Sequence, residues 1–184
     1  MFRKILIVLA LIIVVFLIVV ALQPGEFQVS RSTTIAATPA EIFPEVNDFH
    51  RMEKWSTWSH MDPAMKVTYE GPEAGEGAIY RWVSDNNKVG QGSMTIVKSQ
   101  PPELIRINLE FIKPFAGVCP IEFTFRPDPA GTAVTWTMSG KNSFVAKAMH
   151  LFMNMDNMIG AEFEKSLAHL KKIVENESKT PEKS

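Results

Sequence analysis

The chain has 184 residues, 46% of them hydrophobic, with 19 basic residues against 20 acidic and a formal net charge of -1. Twenty of the first 22 residues are hydrophobic, and the other 162 hold 64, about 40%, which suits one ordinary core and argues against a disordered or fibrous chain. Beyond residue 4 the only dense basic run is Lys171-Lys172, which speaks against nucleic-acid binding, and the single Cys119 excludes an intramolecular disulfide and a cysteine-based zinc site.

Residues Ile5 to Leu22 form an uninterrupted apolar run of 18. As a helix it spans about 27 Å, close to the hydrocarbon thickness of a bilayer. Residues 1–22 therefore read as a single membrane anchor. A cleaved signal peptide is the competing reading, but its apolar region usually runs only about 7 to 15 residues. Arg3 and Lys4 precede the run, while Gln23, Pro24, Gly25 and Glu26 follow it as a linker. The positive-inside bias then places the rest of the chain on the non-cytoplasmic side, the periplasmic face of the inner membrane in a bacterium.

After the linker, Phe27, Val29, Arg31, Thr33 and Ile35 alternate with Gln28, Ser30, Ser32 and Thr34, which predicts a half-buried strand. Thr38-Pro39-Ala40-Glu41 reads as a capping box with Pro at the first helical position. It opens a short helix through Ile42, Phe43 and Val46 that ends near Asn47-Asp48.

Residues 66–141 show period-two runs between turn signals, an antiparallel meander of six strands: Lys66 to Glu70, Ala78 to Ser84, Val89 to Ser99, Glu103 to Lys113, Val118 to Arg126 and Thr132 to Gly140. Ile105, Ile107, Leu109 and Phe111, then Cys119, Ile121, Phe123 and Phe125, then Val134, Trp136 and Met138 share the apolar parity, so one sheet face is apolar and the other polar. After Asn142-Ser143 the period becomes helical: Phe144, Ala148, Leu151, Phe152, Met155 and Ile159, then Phe163, Leu167, Leu170 and Val174, predict one long amphipathic helix that covers the apolar face. The domain so delimited runs over 27–177, and 178–184 is a polar tail.

The order strand, short helical region, six antiparallel strands and long C-terminal helix resembles the helix-grip fold of the START-like (SRPBCC) superfamily, especially its polyketide cyclase/dehydrase and lipid-transport branch. The resemblance covers roughly Phe27 to Glu175. It rests on Ser32-Thr33-Thr34-Ile35-Ala36-Ala37-Thr38-Pro39-Ala40-Glu41-Ile42-Phe43, the pair Trp55 and Trp58, Gly75-Glu76-Gly77-Ala78-Ile79-Tyr80-Arg81-Trp82, Pro101-Pro102-Glu103-Leu104-Ile105 and Thr132-Ala133-Val134-Thr135-Trp136-Thr137-Met138. It implies an α+β domain, with a seven-stranded antiparallel sheet curved around the C-terminal helix and an apolar ligand cavity between them. It supplies no catalytic motif to transfer.

Chemistry-bearing motifs are few. Gly75-Glu76-Gly77 precedes a strand and lacks a third glycine, so it reads as a hairpin approach and not a nucleotide loop. His50, His60, His150 and His169 lack the close spacing of metal ligands, and His60 beside Asp62 sits in a loop-like run read as surface. Cys119 shares the parity of Ile121 and Phe123 and reads as a buried thiol. Glu110 and Glu122 lie on the polar parity with Arg106 and Arg126, a solvated charge ladder in preference to an acid-base pair. Met149, Met153, Met155 and Met158 suit either core filling, the preferred reading, or an adaptable ligand surface.

The function expected is a membrane-anchored domain that binds a hydrophobic small molecule, lipid-like or aromatic, without cofactor or metal. The cavity candidates are Trp55, Trp58, Tyr80, Trp82, Phe111, Phe123, Trp136, Met155, Ile159 and Phe163. A cyclase- or dehydratase-type enzyme in the same cavity and a scaffold with a closed core are the alternatives. The oligomeric state is left open.

Overall fold

A computed structural model describes residues 2–114 and 116–177. The polar tail expected over 178–184 lies outside the described residues. Helix α1 (Phe2–Ala21) is followed by β1 (Glu26–Ile35), α2 (Pro39–Asn47), α3 (Phe49–Trp55), a 3-10 turn (Thr57–His60), β2 (Lys66–Glu70), β3 (Ile79–Val83), β4 (Gln91–Gln100), β5 (Leu104–Lys113), β6 (Gly117–Asp128), β7 (Gly131–Lys141), α4 (Phe144–His150) and α5 (Met155–Glu177). The strands form one antiparallel sheet in the order β1-β7-β6-β5-β4-β3-β2. The chain thus folds as an α+β helix-grip domain preceded by an apolar helix.

The alternation selects the buried face as expected: Ile105, Ile107 and Leu109 of β5, Ile121, Phe123 and Phe125 of β6, and Val134, Trp136 and Met138 of β7 are all buried. On the opposite face Arg106 and Glu122 stand across from one another and pair at 2.8 Å. Glu110 faces Val118, so the two carboxylates do not oppose each other.

The cap at α2 forms through Glu41, whose carboxylate accepts from the Thr38 backbone N–H and hydroxyl at 2.7 Å each. Those bonds hold the Glu41 carboxyl below the usual range. Asp48 breaks the chain and caps α3 by accepting from the His50 N–H at 2.8 Å.

Helix α5 lies along the edge strand β1 and packs against α2, α3 and the 3-10 turn. Its polar side chains reach that edge. Lys171 donates to the Thr34 carbonyl at 2.8 Å, Glu175 accepts from the Ala36 N–H at 3.0 Å, and the fully buried Ser166 binds the Thr57 N–H at 3.1 Å. These bonds tie α5 to the end of β1 and to the 3-10 turn.

The expected single C-terminal helix is two. Ser143 caps α4 by accepting from the Ala146 N–H at 3.2 Å, and Asn154 accepts from the Asn157 N–H at 3.0 Å at the head of α5. An asparagine whose side chain can satisfy a free backbone donor favours a new start over continuation. Phe144 and Phe152 consequently leave the stripe and are exposed, at 51% and 78%.

Only residues 22–25 join α1 to β1. Asn142, just beyond β7, fastens this connection by donating from its backbone N–H to the Gly25 carbonyl at 2.8 Å and from Nδ2 to the Pro24 carbonyl at 3.1 Å.

Candidate functional site

Five of the ten cavity candidates converge beneath α5. Trp136 of β7 lies at their centre, stacked on Phe163 with ring centroids 4.0 Å apart and planes within 10°. Phe123 is 4.8 Å away, and Trp55 and Trp58 meet Trp136 edge-on at 5.9 and 6.0 Å. Edge-on and offset arrangements let the positive ring rim meet a negative ring face. Trp58 is half-buried and the other four are buried.

The indole donors of this group differ. Trp55 Nε1 donates to the Glu45 carbonyl at 2.9 Å, whereas Trp136 Nε1 is buried without a hydrogen-bond partner among the described residues. A buried N–H with no acceptor is disfavoured and is satisfied by an acceptor brought to it.

Tyr80, Trp82 and Phe111 form a second aromatic row farther across the sheet. Tyr80 meets Trp82 at 6.1 Å, and Trp82 meets Phe111 edge-on at 6.0 Å. The Trp82 ring packs against Gly92 of β4, where a Cβ would come within 2.5 Å of it. Burial pushes the Tyr80 hydroxyl pKa up, with the nearby Glu53 carboxylate acting in the same direction.

A groove of about 470 Å³ opens between the start of β1 and the α4–α5 connection, walled by Phe27, Val29, Leu151, Phe152, Met153 and Met155. Its polar rim includes His150, Asn154 and Asp156. Of the sequence candidates only Met155 lines it. Ile159 and Phe163 follow at one-turn spacings, so a single stripe of α5 leads from the groove to Trp136 over about 12 Å. The methionines expected as core filling are instead peripheral: Met153 and Met155 line the groove, while Met149 and Met158 are exposed.

The groove's wall is clamped by Arg31, which sits on the inward parity of β1. Arg31 Nη2 pairs with Asp156 at 3.0 Å and Nε with Glu164 at 2.7 Å, binding the first turns of α5 to the strand. The Arg31 bond holds the Asp156 carboxyl below its usual range. The sequence signals for this clamp were a charge on an apolar parity and a glycine, Gly160, within a helix. Neither names its partner, because the contacts span 125 residues or more.

Other motifs resolve into structural roles. His60 Nδ1 bonds to the Ser56 carbonyl oxygen at 3.0 Å, while Asp62 accepts from Ser84 and from the Ala64 N–H, so His60 and Asp62 form no acid-base couple. Cys119 is half-buried, and burial raises its thiol pKa. A smaller depression of about 200 Å³ lies beside His50 and Tyr69, whose rings stack at 3.7 Å. No cluster of three metal-ligating side chains occurs among the described residues.

The family model described as polyketide cyclase / dehydrase and lipid transport matches residues 26–175. The chain belongs to this family. Solved structures of the same fold include protein MLL2253 from Mesorhizobium loti, 14% identical over 82% of this chain and 98% of that one, with a TM-score of 0.60. Protein SA2116 from Staphylococcus aureus is 13% identical over 84% and 97%, with a TM-score of 0.61. The Aha1 dimer from Colwellia psychrerythraea is 12% identical over 80% and 96%, with a TM-score of 0.55. At such identities the likeness is one of fold. No curated protein matches the sequence. The family match ends where α5 nears its close and begins at β1, so α1 is an addition to the matched region.

Proposed function

We propose that this family member is a membrane-anchored binding domain that takes a hydrophobic small molecule, lipid-like or aromatic, between its sheet and C-terminal helix. The observation that carries the reading is the groove of about 470 Å³ between β1 and the α4–α5 connection, from which the Met155, Ile159 and Phe163 stripe of α5 runs toward Trp136. Its volume falls within the range of small-molecule sites, about 300 to 1,000 Å³. Apolar burial contributes about 25 cal/mol per Å², and the polar rim at His150, Asn154 and Asp156 together with the Trp136 indole offers the ligand hydrogen-bond partners.

The anchor is α1, with a mean hydropathy of 3.4 over its most apolar window. Arg3 and Lys4 at its start support a domain on the non-cytoplasmic side. Protease added to sealed spheroplasts should digest the domain, and full protection would reverse that placement.

The binding reading is tested by mass spectrometry of lipids retained by the detergent-purified full-length chain, wild type against Met155→Trp. Added volume at Met155 should displace the bound molecule and leave the melting temperature unchanged. A marked loss of melting temperature with retention unchanged would instead assign position 155 to closed core.

A further inference from the structure

We propose that the surface formed by α4, the α4–α5 connection, the end of β5 and the start of β6 is inserted into the lipid leaflet in which α1 ends, so that the groove opens onto acyl chains. This rests on the reading of α1 as a bilayer-spanning helix and adds a second, separate contact with the membrane.

Among the described residues, twelve large apolar side chains beyond residue 22 are exposed, and seven of them lie between 144 and 158. An exposed apolar patch on that scale marks a contact surface. Two more, Ile112 and Val118, belong to the end of β5 and the start of β6. They are at the same end of the sheet: Cys119 at the start of β6 approaches Gly140, and Gly140 pairs with Phe27 at the start of β1.

The patch is continuous with α1. The Phe152 ring lies 6.4 Å from that of Phe16, which precedes the end of α1 by five residues, or about 7.5 Å along the helix. A side chain at the level of Phe16 is below the membrane surface whenever α1 spans the bilayer. Interfacial apolar faces sit about 5 to 10 Å deep in the headgroup and acyl boundary, which matches this depth.

Lys147 supports the same placement. Its Nζ donates to the carbonyl of Ala21 at 3.3 Å, where the last carbonyls of α1 have no intrahelical N–H donor and carry the negative end of the helix dipole. A lysine that runs its alkyl stem along apolar surface and leaves its ammonium at the boundary is the side chain suited to that depth.

The bilayer is preferred to a second copy because α1 already holds Phe152 beside an apolar helix face. The groove rim at His150 to Met153 is part of the inserted segment, so a lipid chain would enter without crossing water.

The test uses the full-length chain in vesicles of phosphatidylethanolamine and phosphatidylglycerol doped with acyl-chain nitroxide lipid. In a Cys119→Ala background, a fluorophore is attached to F152C, to I12C within α1, or to V97C on the exposed face of β4. Emission from the labels on F152C and I12C should fall by more than half, while the label on V97C keeps its intensity. Quenching on I12C with none on F152C would overturn the inserted surface and leave the anchor standing. Absence of quenching on I12C would overturn both. Cross-linking between copies through F152C without quenching would give the patch to a second copy and overturn the proposal. Lipid retention in detergent is measured separately, so a failure to bind ligand leaves the quenching result intact.

Discussion

The Arg31 guanidinium fills the space that a side chain at Gly160 would need: a Cβ there would lie 2.0 Å from Arg31 Nη2. Glycine within a helix costs about 1 kcal/mol relative to alanine, so its presence is a local sacrifice that admits the clamp between β1 and α5. In an Arg31→Ala background, Gly160→Ala should raise stability by about 1 kcal/mol in urea unfolding. In the wild-type background the same substitution displaces the guanidinium and should lose that gain. Equal effects in both backgrounds would mean the two residues are uncoupled.

Acid should loosen the same clamp. Asp156 has a lowered pKa in the folded chain because of its bond to Arg31. A depressed carboxylate contributes stability that is present above its ordinary range, about 4, and is lost as pH falls through the folded value. Melting temperature should therefore drop less between pH 7 and pH 3 in Asp156→Asn than in wild type. The difference should shrink further in high salt, since the Asp156 carboxylate is 53% exposed.

Trp136→Phe removes a donor that has no acceptor among the described residues. No hydrogen bond is lost, but the smaller ring leaves a cavity beside Phe163 and Phe123, so stability should fall by about 1 to 3 kcal/mol by thermal unfolding. Lipid retention should fall, as the ligand's acceptor would have no donor to meet. Unchanged retention would show that the indole N–H takes no part in binding.

Phe163→Ala should cost more. Phe163 is 1% exposed and stacked on Trp136, and opening that space should lower stability by about 3 to 5 kcal/mol. Phe163→Leu should recover most of the loss. A small effect for alanine would mean that neighbouring side chains collapse freely into the site.

Tyr69 donates its hydroxyl to the Glu53 carboxylate, linking β2 to α3, and burial raises its pKa. Tyr69→Phe leaves that carboxylate without its donor and should reduce stability by about 1 to 2 kcal/mol in urea unfolding. A neutral result would place Glu53 in water.

Most of the architecture could be read from local pattern. Period-two runs identified every strand of the sheet, and Asn142-Ser143 marked the change to helix because serine there caps α4. Asn154 gives no such signal, since an apolar stripe continues in register across it and only the side-chain bond to the Asn157 N–H reveals a new start. Aromatic positions around Trp136 were legible from parity, whereas the groove was not. Its walls come from β1 and the α4–α5 connection, more than 120 residues apart, and shape between such segments leaves no periodic trace. Arg31 showed itself only as an inward-facing charge, because its two partners lie on another element.

Asn142 gives the short connection after α1 a meaning beyond local order. Four residues reach at most about 14 Å even when fully extended, and residues 22–25 are shortened further by the two bonds that Asn142 makes to Pro24 and Gly25. With α1 in a bilayer, the domain cannot swing toward an opposing membrane or turn its groove away from its own. Its encounters become a search in two dimensions at a fixed height, and exchange with anything distant requires that the other party travel. So anchored, a domain of the proposed kind would serve as a stationary port on one membrane and not as a ferry between two.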